Sequence, residues 1–303
     1  QDIALDAFRI ESAKAQYQAA LAASYQTGYR LAMIWAGAGA LWLAARAETT
    51  TGIYLAEAWQ FAYLCMALSI SVGVVTTLLS PEPQAVLLPK ARSAGQWLQQ
   101  TLIEPFADFI SRYRWQAFLI LGLIAIYRIS DVVMGIMANP FYVDMGYTKD
   151  EVAAVTKVFG VIMTLVGAFL GGLLTMRFGV MRVLLLGGIL SAASNLLFAW
   201  LSTRGHDLNG LVWVISADNL SSGIASAAFI AYLSSLTNVQ YSATQYALFS
   251  SMMLLLPKWL AGFSGVYVDT FGYEHFFIAT ALIGIPVLIL IMLAIRIEKT
   301  NSS

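Results

Sequence analysis

No residue from Val158 to Met176 carries a charge, and the same holds from Val183 to Thr203 and, with histidine neutral, from His275 to Ile295. Each stretch approaches or exceeds the ~20 residues with which a helix crosses a hydrocarbon core ~30 Å thick. Similar patterning elsewhere predicts eight full spans and one partial one: 1–10 (partial), 21–45, 56–80, 115–139, 150–176, 183–203, 211–236, 244–268 and 275–296. Most connections are short, as antiparallel helix neighbours require. In "GYTKDE" the pair Thr148 and Glu151 has the spacing of a capping box, which marks a helix start.

The connection over 81–114 departs from this pattern. It opens with "PEPQAVLLPKARS", three prolines in nine residues, which reads as a linker. Beyond it Leu98, Leu102, Phe106, Phe109 and Ile110 recur at near-helical spacing, predicting an amphipathic segment at the membrane surface, broken or restarted at Pro105. With this linker assigned to the cytoplasm and sides alternating outward, the cytoplasmic face collects Arg9, Lys14, Lys90, Arg92, Arg112, Arg114, Arg177, Arg182, Arg296 and Lys299. The opposite face collects only Arg46, Lys149 and Arg204, so the positive-inside rule selects this orientation. Six full spans follow the linker, whereas two and a fragment precede it. The expected organisation is therefore 1–80 as the remainder of an N-terminal six-helix half, 81–114 as a cytoplasmic linker and 115–303 as a C-terminal six-helix half. On that plan roughly the first three and a half helices are missing from the front.

Composition fixes the solvent. Charged residues make up 11% and hydrophobic residues 59% of 303, against ~25% charged in soluble domains; the fold class is an all-α polytopic membrane protein. Seventeen basic and seventeen acidic residues leave no net charge, so no nucleic-acid footprint is present. The lone Cys65 excludes an internal disulfide, and His206 and His275 lie far apart, so neither a metal nor another cofactor is expected. An intramembrane enzyme would need a nucleophile with a base or a metal cluster, and the sequence suggests neither. A carrier and a non-transporting membrane sensor remain as classes.

Ionisable residues inside spans cost at least ~2.5–3.5 kcal/mol each on insertion scales and usually face a cavity or a partner. They are Asp2, Asp6, Arg30, Arg128, Asp131, Lys157, Asp218 and Lys258, four acids and four bases. Asp2 and Asp6 are one helical turn apart, as a proton-carrying pair requires, although Asp6 near the cytoplasmic exit could simply be hydrated. Arg30 lies ~13 Å into its span and needs an anionic partner, for which Asp2 is the candidate. Asp2, Asp6 and Arg30 are thus the proton-coupling candidates. Arg128 lies ~20 Å into its helix, with Asp131 one turn on; the two could equally neutralise each other as an i, i+3 pair. Lys157, in the outer third of its span, could snorkel outward. Lys258 follows the helix-breaking Pro257 near the middle of its span. Asp218 and Asn219 sit on a helix rich in Ser, Gly and Ala, the composition of a packed or cavity-lining span.

"GGLLTMRFGVMR" (171–182), with Arg177 and Arg182 flanking Gly179, resembles the cytoplasmic loop motif of the major facilitator superfamily, with Thr175 and Met176 where its acid stands. "AGFSGVYVDTFGYEHFF" (261–277) is similar to that superfamily's turn between its last two helices. "QDIALDAF" (1–8), "GYRLAMIWAGAGALWLA" (28–44), "YRISD" (127–131), "TKVFGVIMTLVGAFLGG" (156–172) and "SATQYALFSS" (242–251) together resemble the AmpG family of muropeptide permeases, in order and spacing, over essentially the whole chain. The resemblance implies a multi-pass, proton-driven importer in the bacterial inner membrane. Its substrates would be N-acetylglucosaminyl-1,6-anhydromuramyl peptides, which feed cell-wall recycling and β-lactamase induction. A carrier of another amphipathic anion is the alternative. The implied partners are muropeptide, protons and lipid, with no nucleic acid, and the expected state is a monomer. For such a solute Arg128, Lys157 and Lys258 would meet carboxylates, with Asp131 and Asp218 beside them. Tyr29, Tyr127, Asn219, Gln245 and Tyr246 would meet the sugars and amides, although each tyrosine taken singly could be ordinary helix packing.

Overall fold

The computed structural model describes residues 2–14, 17–48, 56–83 and 93–302, and all the secondary structure among them is helical. Helix α1 is Asp2–Ser12. Helix α2 covers 18–47, running from Gln18–Ile34 through a π turn at Trp35–Gly39 into Ala40–Ala47. Helix α3 is Ala56–Leu79. Helix α4 covers 94–113, with a π turn at Gln99–Ile103. Then come α5 (Gln116–Asp144), α6 (Lys149–Phe178), α7 (Val180–Ser202), α8 (Leu208–Leu236), α9 (Ser242–Ala261) and α10 (Ser264–Ser302).

Six of these, α3, α5, α6, α7, α8 and α10, are long and apolar enough to cross a membrane. Two expected spans fall short of that measure through their polar residues: α2 carries Gln18, Ser24, Gln26, Thr27 and Arg30, and α9 carries Ser242, Thr244, Gln245, Ser250, Ser251 and Lys258.

The expected span 244–268 is corrected. Helix α9 stops at Ala261, Gly262 and Phe263 form a turn, and a new helix starts at Ser264. Gly272 (φ 80, ψ 170) is non-helical and separates 264–271 from a last helical stretch that runs on to Ser302. The expected break between 268 and 275 is therefore present, and the turn at Gly262 and Phe263 is an additional one inside the expected span 244–268. The sequence across 252–268 carries no charge apart from Lys258, so hydrophobicity alone does not locate the turn at Gly262 and Phe263. The helix restarts at Pro105 as expected, without a gap in the chain's helical course. Pro105 stands at the start of the α-helical part, directly after the π turn. The wider turn relieves the clash between the proline ring and the carbonyl four residues back. The linker section 84–92 lies outside the described residues.

The chain divides into two compact units, 25–84 and 1–24 with 85–303. In the smaller, the later part of α2 packs on α3 and Trp35 Nε1 donates to Ser69 Oγ at 2.9 Å. In the larger, α6 and α8 cross at close quarters because the contact is made of glycines. A Cβ on Gly167 would lie 2.3 Å from the Leu220 carbonyl oxygen, and one on Gly223 2.5 Å from that of Thr164. Small residues of this kind are how membrane helices approach each other without a hydrophobic driving force. Helix α7 packs on α8 and α10, and α5 on α9 and α10. Phe141, Phe198, Phe229, Phe249 and Phe277 fill the core. Between α6 and α7 only Gly179 intervenes, at φ 86, a conformation that a residue with a Cβ rarely adopts. Thr148 and Glu151 form both bonds of the predicted capping box.

Candidate functional site

Helix α5 is not continuous. Tyr127 and Arg128 form a turn between two helical segments, and Arg128 has φ −91 and ψ 7, outside the helical region, with no proline nearby to force it. The break makes Arg128 the cap of a second helical segment, Ile129–Asp144, and puts Asp131 in that segment's first turn. There the free N–H groups and the positive end of the helix dipole favour a carboxylate. Arg128 Nη2 is paired with the Asp131 carboxylate, and Nη1 donates to Ser226 Oγ on α8 at 3.1 Å. Arg128 Nε is buried without a hydrogen-bond partner. The two side chains keep 24% and 21% of their surface accessible, so the pair is reachable although it lies inside the chain's apolar core.

Helix α8 brings a second carboxylate to this place. Asp218 Oδ1 accepts from Ser194 Oγ of α7 at 3.0 Å, and Asp218 lies within electrostatic reach of both Arg128 and Asp131. The buried Tyr142 of α5 also feels its charge. Next along α8, Asn219 Oδ1 accepts from Thr164 Oγ1 of α6 at 2.9 Å, while its Nδ2 donates to the Ile215 carbonyl. On the adjoining face Asn195 Nδ2 donates to Ser130 Oγ (2.8 Å) and Thr280 Oγ1 (3.1 Å), leaving the fully buried Asn195 Oδ1 unpartnered. The chain thus brings Arg128, Asp131 and Asp218 together, with Asn219 beside them. Ser194, Ser226, Asn195 and Thr164 were not legible as site residues, because Ser and Thr in such helices usually bond their own backbone.

The other candidates lie elsewhere. Tyr127 is buried, stacked on Phe229 with ring centroids 4.4 Å apart, and its hydroxyl donates to the Leu184 carbonyl, so it packs α5 against α7 and α8. Lys157 is exposed on the π turn Val155–Gly160, and Lys258 is exposed beside Leu255 and Trp259; neither has an ion-pair partner among the described residues. Tyr29 is exposed and belongs, with Arg30, to the smaller unit. Asp2 is exposed on α1, in the larger unit.

Gln245 and Tyr246 belong to a polar cluster at the start of α9. Gln245 is saturated: Oε1 accepts from Arg112 Nη2 (3.0 Å) and the Asn238 amide (2.8 Å), and Nε2 donates to the Pro105 carbonyl (2.8 Å) and Asp108 Oδ2 (2.9 Å). It fastens α4 to the α8–α9 turn. Nearby, burial raises the Tyr241 phenol above its ordinary range, and the carboxylates of Glu104 and Asp108 add to this. Tyr246 lies under the Arg9 guanidinium, 5.4 Å from its ring centre. Arg9 donates to Gln18 Oε1 (3.1 Å) and Ser234 Oγ (2.9 Å) and pairs with Asp6 at 3.4 Å. Glu11 accepts from Ser242. Arg9, which by sequence is only a flanking cytoplasmic charge, is therefore buried and joins α1 to α8 and α9.

A cavity of about 770 Å³ lies apart from the Arg128 cluster. It is lined by the ends of α5, α8 and α10 and the α6–α7 turn, including Gln116, Ile120, Arg182, Tyr232 and Ile295. Its walls are mostly apolar, and it contains none of the charges of the cluster.

Six helices long and apolar enough to cross a membrane, together with a charged, reachable cluster in the larger unit, make a multi-pass membrane protein, and residues 119–303 match the Major Facilitator Superfamily. Over 292 residues the chain is 33% identical to "Putative transporter AmpG 4" of Rickettsia conorii, covering 96% of this chain and 68% of that protein. It is 34% identical over 294 residues to the "Anhydromuropeptide permease" of Escherichia coli (strain K12), covering 96% of this chain and 56% of the permease. It is 29% identical over 317 residues to "Putative transporter AmpG 1" of Rickettsia prowazekii. The chain belongs to the major facilitator superfamily and, within it, to the AmpG family.

Proposed function

We propose that the protein is a proton-coupled secondary transporter that imports N-acetylglucosaminyl-1,6-anhydromuramyl peptides across the bacterial inner membrane. Fragments delivered inside feed cell-wall recycling and the induction of β-lactamase. The observation that carries this reading is the partly accessible side chain of Arg128 inside a chain related over 96% of its length to an anhydromuropeptide permease. A muropeptide presents carboxylates on a body of hydroxyls and amides. A guanidinium accepts a carboxylate through two parallel hydrogen bonds and stays charged when buried.

In this reading Arg128 takes the solute carboxylate, and Asp131 holds the guanidinium while the site is empty. Exchange of one carboxylate for another keeps the charge paired throughout, which avoids stranding it in low dielectric. Asn219 supplies amide contacts, and Lys157, Lys258 and Tyr29 add contacts as the solute moves. Asp2, Asp6 and Arg30 form the coupling set of the N-terminal half, which the linker joins to the C-terminal half. Uptake of labelled anhydromuropeptide by cells whose own permease is deleted tests this. Cells carrying the full gene should accumulate label and lose it when the proton gradient is collapsed. Accumulation no higher than in the deleted cells contradicts the proposal.

A further inference from the structure

The cluster around Arg128 has an uneven charge count. Asp131 and Asp218 supply two carboxylates and Arg128 one guanidinium. The remaining groups that face Asp218, the Ser194 hydroxyl from α7 and Tyr142 from α5, bring no positive charge. Helix α6 carries Lys157 and α9 carries Lys258 within their apolar stretches, but both are exposed and neither pairs with Asp218. Over 183–203 and 275–295, α7 and α10 contribute no charge. With both acids ionised, the cluster holds one uncompensated negative charge among apolar helices, a costly state in a membrane interior. One bound proton removes it.

The two carboxylates are not equivalent. Asp131 is held by the guanidinium and sits in the first turn of a helical segment, both of which favour its ionised form. Asp218 lies mid-helix on α8 and accepts a hydrogen bond from a neutral serine hydroxyl. We propose that Asp218 binds and releases a proton that accompanies the solute, so that one cluster both holds the solute and couples its movement to protons. This rests on the transport reading above and adds a coupling acid in the C-terminal half, besides Asp2 and Asp6. A solute carboxylate arriving at Arg128 brings a third negative charge to one guanidinium. Solute binding and protonation of Asp218 then favour each other, and by linkage the coupling is reciprocal. The proton passes from water on the entry side to an Asp218 oxygen and returns to water on the exit side once the solute carboxylate has left.

The test is the number of protons moved per labelled anhydromuropeptide in proteoliposomes loaded with a pH-sensitive dye. Asp218→Asn should lower that ratio by the one proton that the amide cannot take up, while labelled solute still exchanges at a rate that varies less with pH than in wild type. Asp218→Glu, which keeps the carboxyl, should retain coupling. A wild-type ratio in Asp218→Asn overturns the proposal and leaves the transport reading intact. If the wild-type chain moves no muropeptide, the transport reading fails. The proton site is then read by infrared spectroscopy: a protonated-carboxyl band that titrates in wild type and is missing from Asp218→Asn supports it, and the same band in both overturns it. If Asp218→Asn does not fold, Ser194→Ala reads the same group. A shifted pH midpoint of uptake, or of the infrared band, supports the proposal, and an unmoved one overturns it.

Discussion

Arg128→Lys is expected to fold and reach the membrane yet bind anhydromuropeptide roughly a hundredfold more weakly than wild type, since buried hydrogen bonds to a charged group are each worth ~1.5–3 kcal/mol. Lysine keeps the charge but not the planar fork. In the structure Arg128 uses one terminal nitrogen for Asp131 and the other for Ser226, and an ammonium cannot hold both directions at once. Asp131→Asn should change the rate of solute release more than the amount of folded protein, because its proposed role belongs to the empty site. Equilibrium binding to detergent-purified protein checks both. A self-contained structural pair gives the opposite pattern, with poor folding in either variant and normal affinity in whatever survives. Wild-type affinity in well-folded Arg128→Lys ends the solute-binding reading of this residue.

Gly223→Leu is expected to abolish folded protein. A single Cβ at that position would already lie 2.5 Å from the Thr164 carbonyl oxygen and 2.8 Å from the Ala168 amide nitrogen, both backbone atoms. Overpacking a core commonly costs ~1–3 kcal/mol, and here two backbones rather than flexible side chains have to move, so the cost lies at or above the top of that range. Because α8 also carries Asp218, Asn219 and Ser226, displacing it disperses the cluster. Gly135→Ala on α5 is the matched control, since nothing lies within 4 Å of its Cβ position. Size-exclusion profiles and melting temperatures of the two variants should separate cleanly. A monodisperse Gly223→Leu with a wild-type melting temperature would show that the α6–α8 contact is not close-packed.

Much of the fold was legible because the lipid solvent imposes a simple pattern. Uncharged runs of helical length marked α6, α7 and α10, and the Thr148–Glu151 capping box marked the start of α6. The expected break between 268 and 275 is present at Gly272, but the additional turn at Gly262 and Phe263 was not legible because its flanking residues are uncharged on both sides. The intramembrane charges were legible too: Arg128 and Asp131 stood out by cost alone, and their pairing follows from i, i+3 spacing. What the sequence did not convey is which distant groups meet them. Asp218 comes near the pair where α5, α7 and α8 meet closely at Gly187, whose Cβ position lies 2.8 Å from Ala225 Cα and 2.9 Å from the Tyr127 hydroxyl, and where α5 breaks at Arg128. Neither feature has a local signature. Gln245 and Tyr246 were legible as polar residues in an apolar helix, but their saturation by Arg112, Asp108 and Arg9 depends on contacts more than a hundred residues away in the chain.

The most direct measurement of the central claim is counterflow. Proteoliposomes containing the full chain are loaded with unlabelled anhydromuropeptide and diluted into a trace of labelled compound, with no proton gradient. A carrier for this solute predicts a transient accumulation of label above the outside concentration, abolished in parallel with binding by Arg128→Lys. Label entering no faster than into protein-free liposomes contradicts the account.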